Sequence, residues 1–236
     1  NPIAFFAERG IEFPKSLLGY TPPTSDKIYP QQVSPLTISI NSIPPDYWEV
    51  GTLHIGPLDF QSHQFVMSAA RQARFNHITV DIAAGLMAPP FWDDIPVLIE
   101  SASALLTTEE KVINLFQGRS KDLWEMAAGL ASHNCPIIVI KRGMQGQYIY
   151  DDTTKNKWSM PAYSSVSADP TGAGDAYNGG FLAGLRNSYD ALEAALHGNI
   201  SASLCVEGSG AFYTMDGLPG LCQARLENLR NMVRKI

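Results

Sequence analysis

Between residues 51 and 140 the chain keeps returning to one alternation. A short apolar or β-branched run is followed by a longer stretch whose apolar residues recur every three or four positions. Residues 52–55 read as a strand closed by Gly56-Pro57. Residues 60–74 place Phe65, Val66, Ala69, Ala70 and Ala73 on one helical face. Residues 77–82 (HITVDI) read as a buried strand, 92–102 as a helix and 104–106 as a strand. Thr108 can cap a helix with Glu109 and Glu110 in its first turn. Residues 121–133 give a further amphipathic helix and 137–140 a β-branched strand. Strands joined by helices of this length need crossovers, so the expected fold is α/β, a mostly parallel sheet with helices on both faces. Ligands of such sheets bind beyond the carboxyl ends of the strands.

The alternation then changes. Residues 147–150 and 157–160 read as a hairpin around Asp151-Asp152-Thr153. Helices follow from the Asp175 region, over 191–206 and over 221–233. Ahead of residue 51 the reading is a short helix over 3–9 stopped by Gly10, a Pro/Thr/Ser/Gln-rich loop over 21–35, a weak strand over 36–40 and a turn at Pro44-Pro45 before a short helix in 43–47. The expected division is a partial N-terminal segment, 1–50, and a core, 51–236.

The hairpin leads to Asp169-Pro170-Thr171-Gly172-Ala173-Gly174-Asp175 and then to Ala176, Gly180 and Gly184 on one helical face. Gly172 and Gly174 let the backbone turn tightly and approach a ligand. They sit at a helix N-terminus, where free N–H groups and the helix dipole favour an anion. Asp175, in the first turn, can complement that dipole, or it can accept a proton from a hydroxyl attacking a phosphate held there.

The string resembles the second signature of the PfkB (ribokinase-like) carbohydrate kinases, D-[TP]-x-G-A-G-D-x-[FY]. The resemblance implies a ribokinase-like three-layer sandwich with a partial or reduced β lid. It implies an ATP-dependent phosphotransferase acting on a hydroxyl of a sugar or related small alcohol, with Asp175 as catalytic base and Gly172, Ala173 and Gly174 as anion hole. Lys141-Arg142-Gly143-Met144-Gln145-Gly146 resembles the family's [KT]-x-G-x-x-G segment, which places Lys141, Gly143 and Gly146 against ATP. The helix with His197, Gly198 and Asn199 resembles the one that lines the adenine pocket. Asp169 and Thr171, with the Gly208–Gly210 loop, resemble a monovalent-cation site, where Gly210 would contribute and K+ would bind. Where the family holds Mg2+ through N-x-x-E, this chain has Thr108-Glu109-Glu110-Lys111, so the acid is Glu110 with a shift of one, or is replaced by Lys111. Asp81 resembles the acid of a D-x-N segment beneath the nucleotide; a strand-terminal turn cap is the other reading. A homodimer through the lid is compatible with the resemblance.

No G-G-x-x-x-N-type stretch is found in the chain, which reads as a fragment, a divergent short form or a sequence with residues left out. With the Lys111 departure, this keeps a catalytically silent paralogue as the alternative. A vitamin-kinase reading is weaker, because those enzymes tend to carry G-T-G-D. The net charge of -6 and the lack of a basic run argue against nucleic acid and anionic membranes as partners. Three scattered cysteines suit no disulfide framework or zinc site and point to a reducing, cytoplasmic setting.

Overall fold

Four strands run parallel, side by side, in the order in which they occur in the chain: β1 (Thr52–Ile55), β2 (His77–Val80), β3 (Ala104–Thr108) and β4 (Ile137–Lys141). Antiparallel β5 (Gln147–Asp151), β6 (Asn156–Met160) and the two-residue β7 (Arg234–Lys235) extend the sheet beyond β4. Five of the seven strands therefore point the same way. This computed structural model describes Gly10, residues 37–210 and residues 212–236. The chain divides into two compact units, Asn1–Val33 and Ser34–Ile236, and every element named here lies in the second. The helix expected over 3–9 and the loop over 21–35 fall outside the described residues. Among the described residues all strands join this one sheet, so the expected β lid is not among them.

Crossovers that always step the same way across a sheet deposit their helices on one face. Helices α1 (Phe60–Ala73), α2 (Ile95–Ile99), α3 (Glu109–Leu115) and α4 (Leu123–Ala131) do so. Their apolar faces meet Leu105, Ile138, Ile140 and Tyr150 in one core cluster. The alternate strand residues, Ala104, Leu106, Val139 and Ile149, point to the other side. There they pack with Phe181, Leu185, Leu196 and Leu229 of α5 (Ala173–Ser188), α6 (Ala191–Cys205) and α7 (Pro219–Arg230). Three layers result. Helices α5 and α6 touch backbone to side chain: a Cβ at Gly184 would stand 2.9 Å from Ala194 Cα, and one at Gly198 would stand 2.8 Å from the Tyr177 ring.

Two expectations are corrected. Residues 37–39 are irregular and Ile40–Ser42 is a 3-10 turn, not a strand. The hydroxyl of Ser42 bonds to that of Ser39 at 3.0 Å and accepts the Ser39 N–H, local bonds that compete with a strand ladder. The helix expected over 92–102 is a 3-10 segment, Pro89–Asp94, followed by five helical residues. Paired prolines open the first, Pro96 opens the second, and Ser101 ends it in a left-handed conformation, φ 68°. Elsewhere the capping logic holds: the Thr108 hydroxyl accepts the Lys111 N–H at 3.3 Å and opens α3.

Candidate active site

Strands β2, β3 and β4 end on one side of the sheet, at Asp81, Thr108 and Lys141. Beyond them opens a cavity of about 650 Å3, closed on its far side by the start of α5 and the wall of α6. Gly172, at φ +79°, is the N-cap of α5 and carries the chain into the helix. Ala173, Gly174 and Asp175 line the cavity. The Ala173 N–H turns back to the Pro170 carbonyl at 3.2 Å, and the Ala176 N–H begins the helical ladder on Gly172. The Gly174 and Asp175 N–H groups lie between, in the first turn, where a helix offers no internal acceptor. Of the three residues expected to supply an anion hole, Gly172 shapes the turn while the free amides belong to Gly174 and Asp175. The Asp175 side chain is exposed to the cavity.

Below Asp175, one helical turn on, Asn178 is fully buried at the centre of a polar cluster. Its amide oxygen accepts from Lys141 Nζ at 2.8 Å. Its nitrogen donates to Asp81 Oδ2 and to His54 Nε2, each at 3.3 Å. An amide nitrogen only donates, so His54 Nε2 accepts, and the ring proton sits on Nδ1, which donates to Thr79 Oγ1 at 2.9 Å. Burial lowers the His54 pKa, consistent with this neutral ring. Asp81 takes Lys111 at 2.6 Å on one oxygen and Lys141 at 3.3 Å on the other. Burial alone would raise the Asp81 carboxyl, but Lys141 and Lys111 outweigh it and hold it below the usual range. Burial pulls the Lys141 ammonium down against the opposing pull of Asp81. Asp81 is thus no turn cap: it anchors two lysines.

The loop after β4 forms the next wall. Lys141, Gly143 and Gly146 all line the cavity. Gly146 has φ +88°, and a Cβ there would fall 2.1 Å from the Met160 carbonyl oxygen, so no other residue fits against the exit of β6. Arg142 pairs with Glu109 at 3.3 Å and stacks over Tyr148. Asn199 lines the cavity too, but its amide is occupied. It accepts the Tyr163 N–H and donates to the Pro161 carbonyl, each at 2.9 Å, and so clamps the segment after β6 to α6. His197 is not part of the cavity. It lies in the α5–α6 seam against Gly184, one face of the helix away, which corrects its expected place beside the nucleotide.

The expected cation residues meet only in part. Asp169 accepts the Thr171 N–H at 2.9 Å and the Ser209 hydroxyl at 3.1 Å, bonds that lower its pKa, the Thr171 amide first. The Thr171 carbonyl accepts the Cys205 thiol at 3.6 Å, and Gly210 has φ +98°. Both Asp169 oxygens are therefore engaged by protein donors. Glu110 lines the cavity rim, while Lys111 turns inward to Asp81. The inner position of this turn thus holds an ammonium, not an acid. Among the described residues no three or more His, Cys, Asp or Glu side chains gather as a metal site.

The motif residues were found from the sequence; Asn178 and His54 were not. The signal available for Asn178 was its place three residues after Asp175, a polar residue beside apolar Tyr177 and Phe181. For His54 the signal was a histidine in a strand otherwise apolar at its end.

The profile of the pfkB family carbohydrate kinases matches residues 48–216. The cytidine kinase of Thermococcus kodakarensis is 27% identical over 148 residues, 60% of this chain and 50% of that one. A sugar kinase of Archaeoglobus fulgidus is 29% identical over 126 residues, 53% of this chain and 47% of that one. The chain thus spans about half the length of these curated relatives. Among solved structures, an E. coli protein assigned as a ribokinase II, with ATP and Mg2+, superposes with a TM-score of 0.64. It is 22% identical, over 82% of this chain and 63% of that one. The ribokinase-like fold follows.

Proposed function

Since the chain belongs to the pfkB family of carbohydrate kinases, we propose that the cavity binds ATP and that Asp175 activates a hydroxyl of a sugar or nucleoside for attack on the γ-phosphorus. The observation that carries this reading is the approach of three things in one cavity: the free amides at the head of α5, the Asp175 carboxylate and the Lys141 ammonium. Phosphoryl transfer asks for little covalent help. It needs the phosphate held, its charge balanced and the nucleophile aimed.

In this mechanism the Gly174 and Asp175 amides hold the transferring phosphoryl oxygens. The acceptor hydroxyl gives its proton to an Asp175 oxygen as its own oxygen bonds to phosphorus. The bond to the β,γ-bridging oxygen breaks and ADP leaves with that electron pair. Lys141, held by Asn178 and Asp81, faces the phosphate chain from the strand ends. Gly143 and Gly146 let the backbone lie close to the nucleotide, and Asn199 fixes the wall behind it. Mg2+ would arrive with the nucleotide and would supply charge neutralisation to its phosphates. The protein residues fit an inner metal anchor poorly, because Lys111 occupies that position, and no step is assigned to such an anchor. For K+ the expected ligands are carbonyl oxygens of this loop, and no step is assigned to that ion.

The test is ADP release from the full chain across sugars, sugar phosphates and nucleosides, with Asp175→Asn beside the wild type. The substitution should lower turnover by about 10²–10⁴-fold, the usual weight of a general base, with the melting temperature kept. Turnover by Asp175→Asn at the wild-type rate would end the proposal. The inward Lys111 favours a second reading, a silent nucleotide-binding paralogue. Its mark is a melting temperature raised by ATP with no ADP formed from any acceptor.

A further inference from the structure

The two lysines that share Asp81 are not equivalent. Lys111 Nζ stands 2.6 Å from Asp81 Oδ1 and 2.8 Å from the Ile82 carbonyl, a close pair with a second acceptor behind it. Lys141 Nζ stands 3.3 Å from Asp81 Oδ2 and makes its shorter bond, 2.8 Å, to the neutral Asn178. Lys141 and Asp81 line the cavity, and Lys111 does not. The other groups near the cluster leave its charge unchanged: His54 is neutral by its hydrogen bonds, and Arg142 is paired with Glu109. Asp175 and Glu110 line the same cavity and are left in place in every variant.

We infer that Lys111 sets the charge of this corner: by taking up the Asp81 carboxylate from outside the cavity it leaves the Lys141 ammonium as a net positive charge for a phosphate chain. Two ammoniums and one carboxylate give the corner one positive charge. Without Lys111, Asp81 and Lys141 would neutralise one another, and a buried neutral pair attracts an anion weakly. Lys111 is a positioning residue here, acting through Asp81 on Lys141.

The inference rests on the proposed nucleotide site, and a charge series separates the two. The probe is ATP in EDTA, so that no metal takes part, and affinity is read by calorimetry on the full chain. Lys111→Met makes the corner neutral and should weaken ATP by roughly tenfold, the effect of one charge across a partly solvated pocket. Lys111→Arg should bind as the wild type does. Read well below the pH range of lysine titration, so that Lys141 keeps its proton without Asp81, the double change Asp81→Asn with Lys111→Met restores one positive charge and should recover ATP binding to within about threefold of the wild type. A merely structural salt bridge predicts the reverse, with the double variant no better than Lys111→Met. Should Lys111→Met fail to fold, Lys111→Gln, uncharged but still able to donate to Asp81, takes its place and should weaken ATP by a similar factor. Unchanged binding by Lys111→Met or Lys111→Gln, or no recovery in the double variant, overturns the inference. Absence of binding by the wild type to ATP both in EDTA and with Mg2+ would instead overturn the nucleotide site itself.

Discussion

Asp175 and Asn178 stand one turn apart on α5 with opposite surroundings. The first is exposed to the cavity, and the second is buried and bonded to Lys141, Asp81 and His54. That difference suits the proposed roles: Asp175 is open to the cavity, while Asn178 holds Lys141. Lys141 then has a pH signature. Burial lowers its pKa, with Asp81 opposing, so the folded protein loses this proton below the ordinary lysine value of about 10.4. Only the charged form attracts phosphate. ATP affinity should therefore fall as pH rises toward that value, earlier than a surface lysine would dictate. The stability term runs the other way. A lowered base pKa means that the unfolded chain binds more protons across this window, so the Lys141 contribution to folding improves as pH rises. Falling affinity without falling stability, read by calorimetry and urea unfolding, is the expected pair. An alkaline limb that persists unchanged in Lys141→Met would show that another group titrates.

Among the elements, those whose period is set by local packing were legible. The strands at β1 to β6 and the helices α1, α3, α4, α5, α6 and α7 were placed to within a few residues, because each buries one stripe or one whole strand against the sheet. The 3-10 segments were not, since prolines and serine hydroxyls redirect the chain without altering its apolar spacing. Nor was β7, two residues whose pairing with Trp158 and Ser159 is a tertiary event. At the site the glycine turn was legible because only glycine serves it, whereas the amide of Asn199 and the ring of His197 depended on which helix face met the cavity. Two glycines of one loop test this element view. Gly146 combines φ +88° with a backbone oxygen 2.1 Å from any Cβ, while Gly143, at φ +56°, has open space around it. Gly146→Ala should cost about 3 kcal/mol, from strain and overpacking together, and Gly143→Ala about 1 kcal/mol, from backbone conformation alone. Equal losses in urea unfolding would mean that the loop can move away from β6.

Among the described residues of the second unit, one sheet divides two cores, and the candidate site touches both sides of it. Leu105 and Leu106 are neighbours on β3, each with no exposed surface, and they point into opposite cores. Trp92 packs against the first core and Trp158 against the second. If the shared strands couple the layers, Leu105→Ala and Leu106→Ala should each cost about 2–5 kcal/mol, the range for buried leucines, and each should shift the same transition. The measurement is urea unfolding in two backgrounds, one keeping Trp92 as the sole tryptophan and the other Trp158. Coincident curves are expected in both variants. If ATP binds in the cavity as proposed, it should then stabilise both probes alike, by about 2.7 kcal/mol at a hundred times its dissociation constant. A ligand shift seen at Trp158 alone would mean that the core behind α1 to α4 unfolds independently of the site, and that the sheet joins the two layers without coupling them.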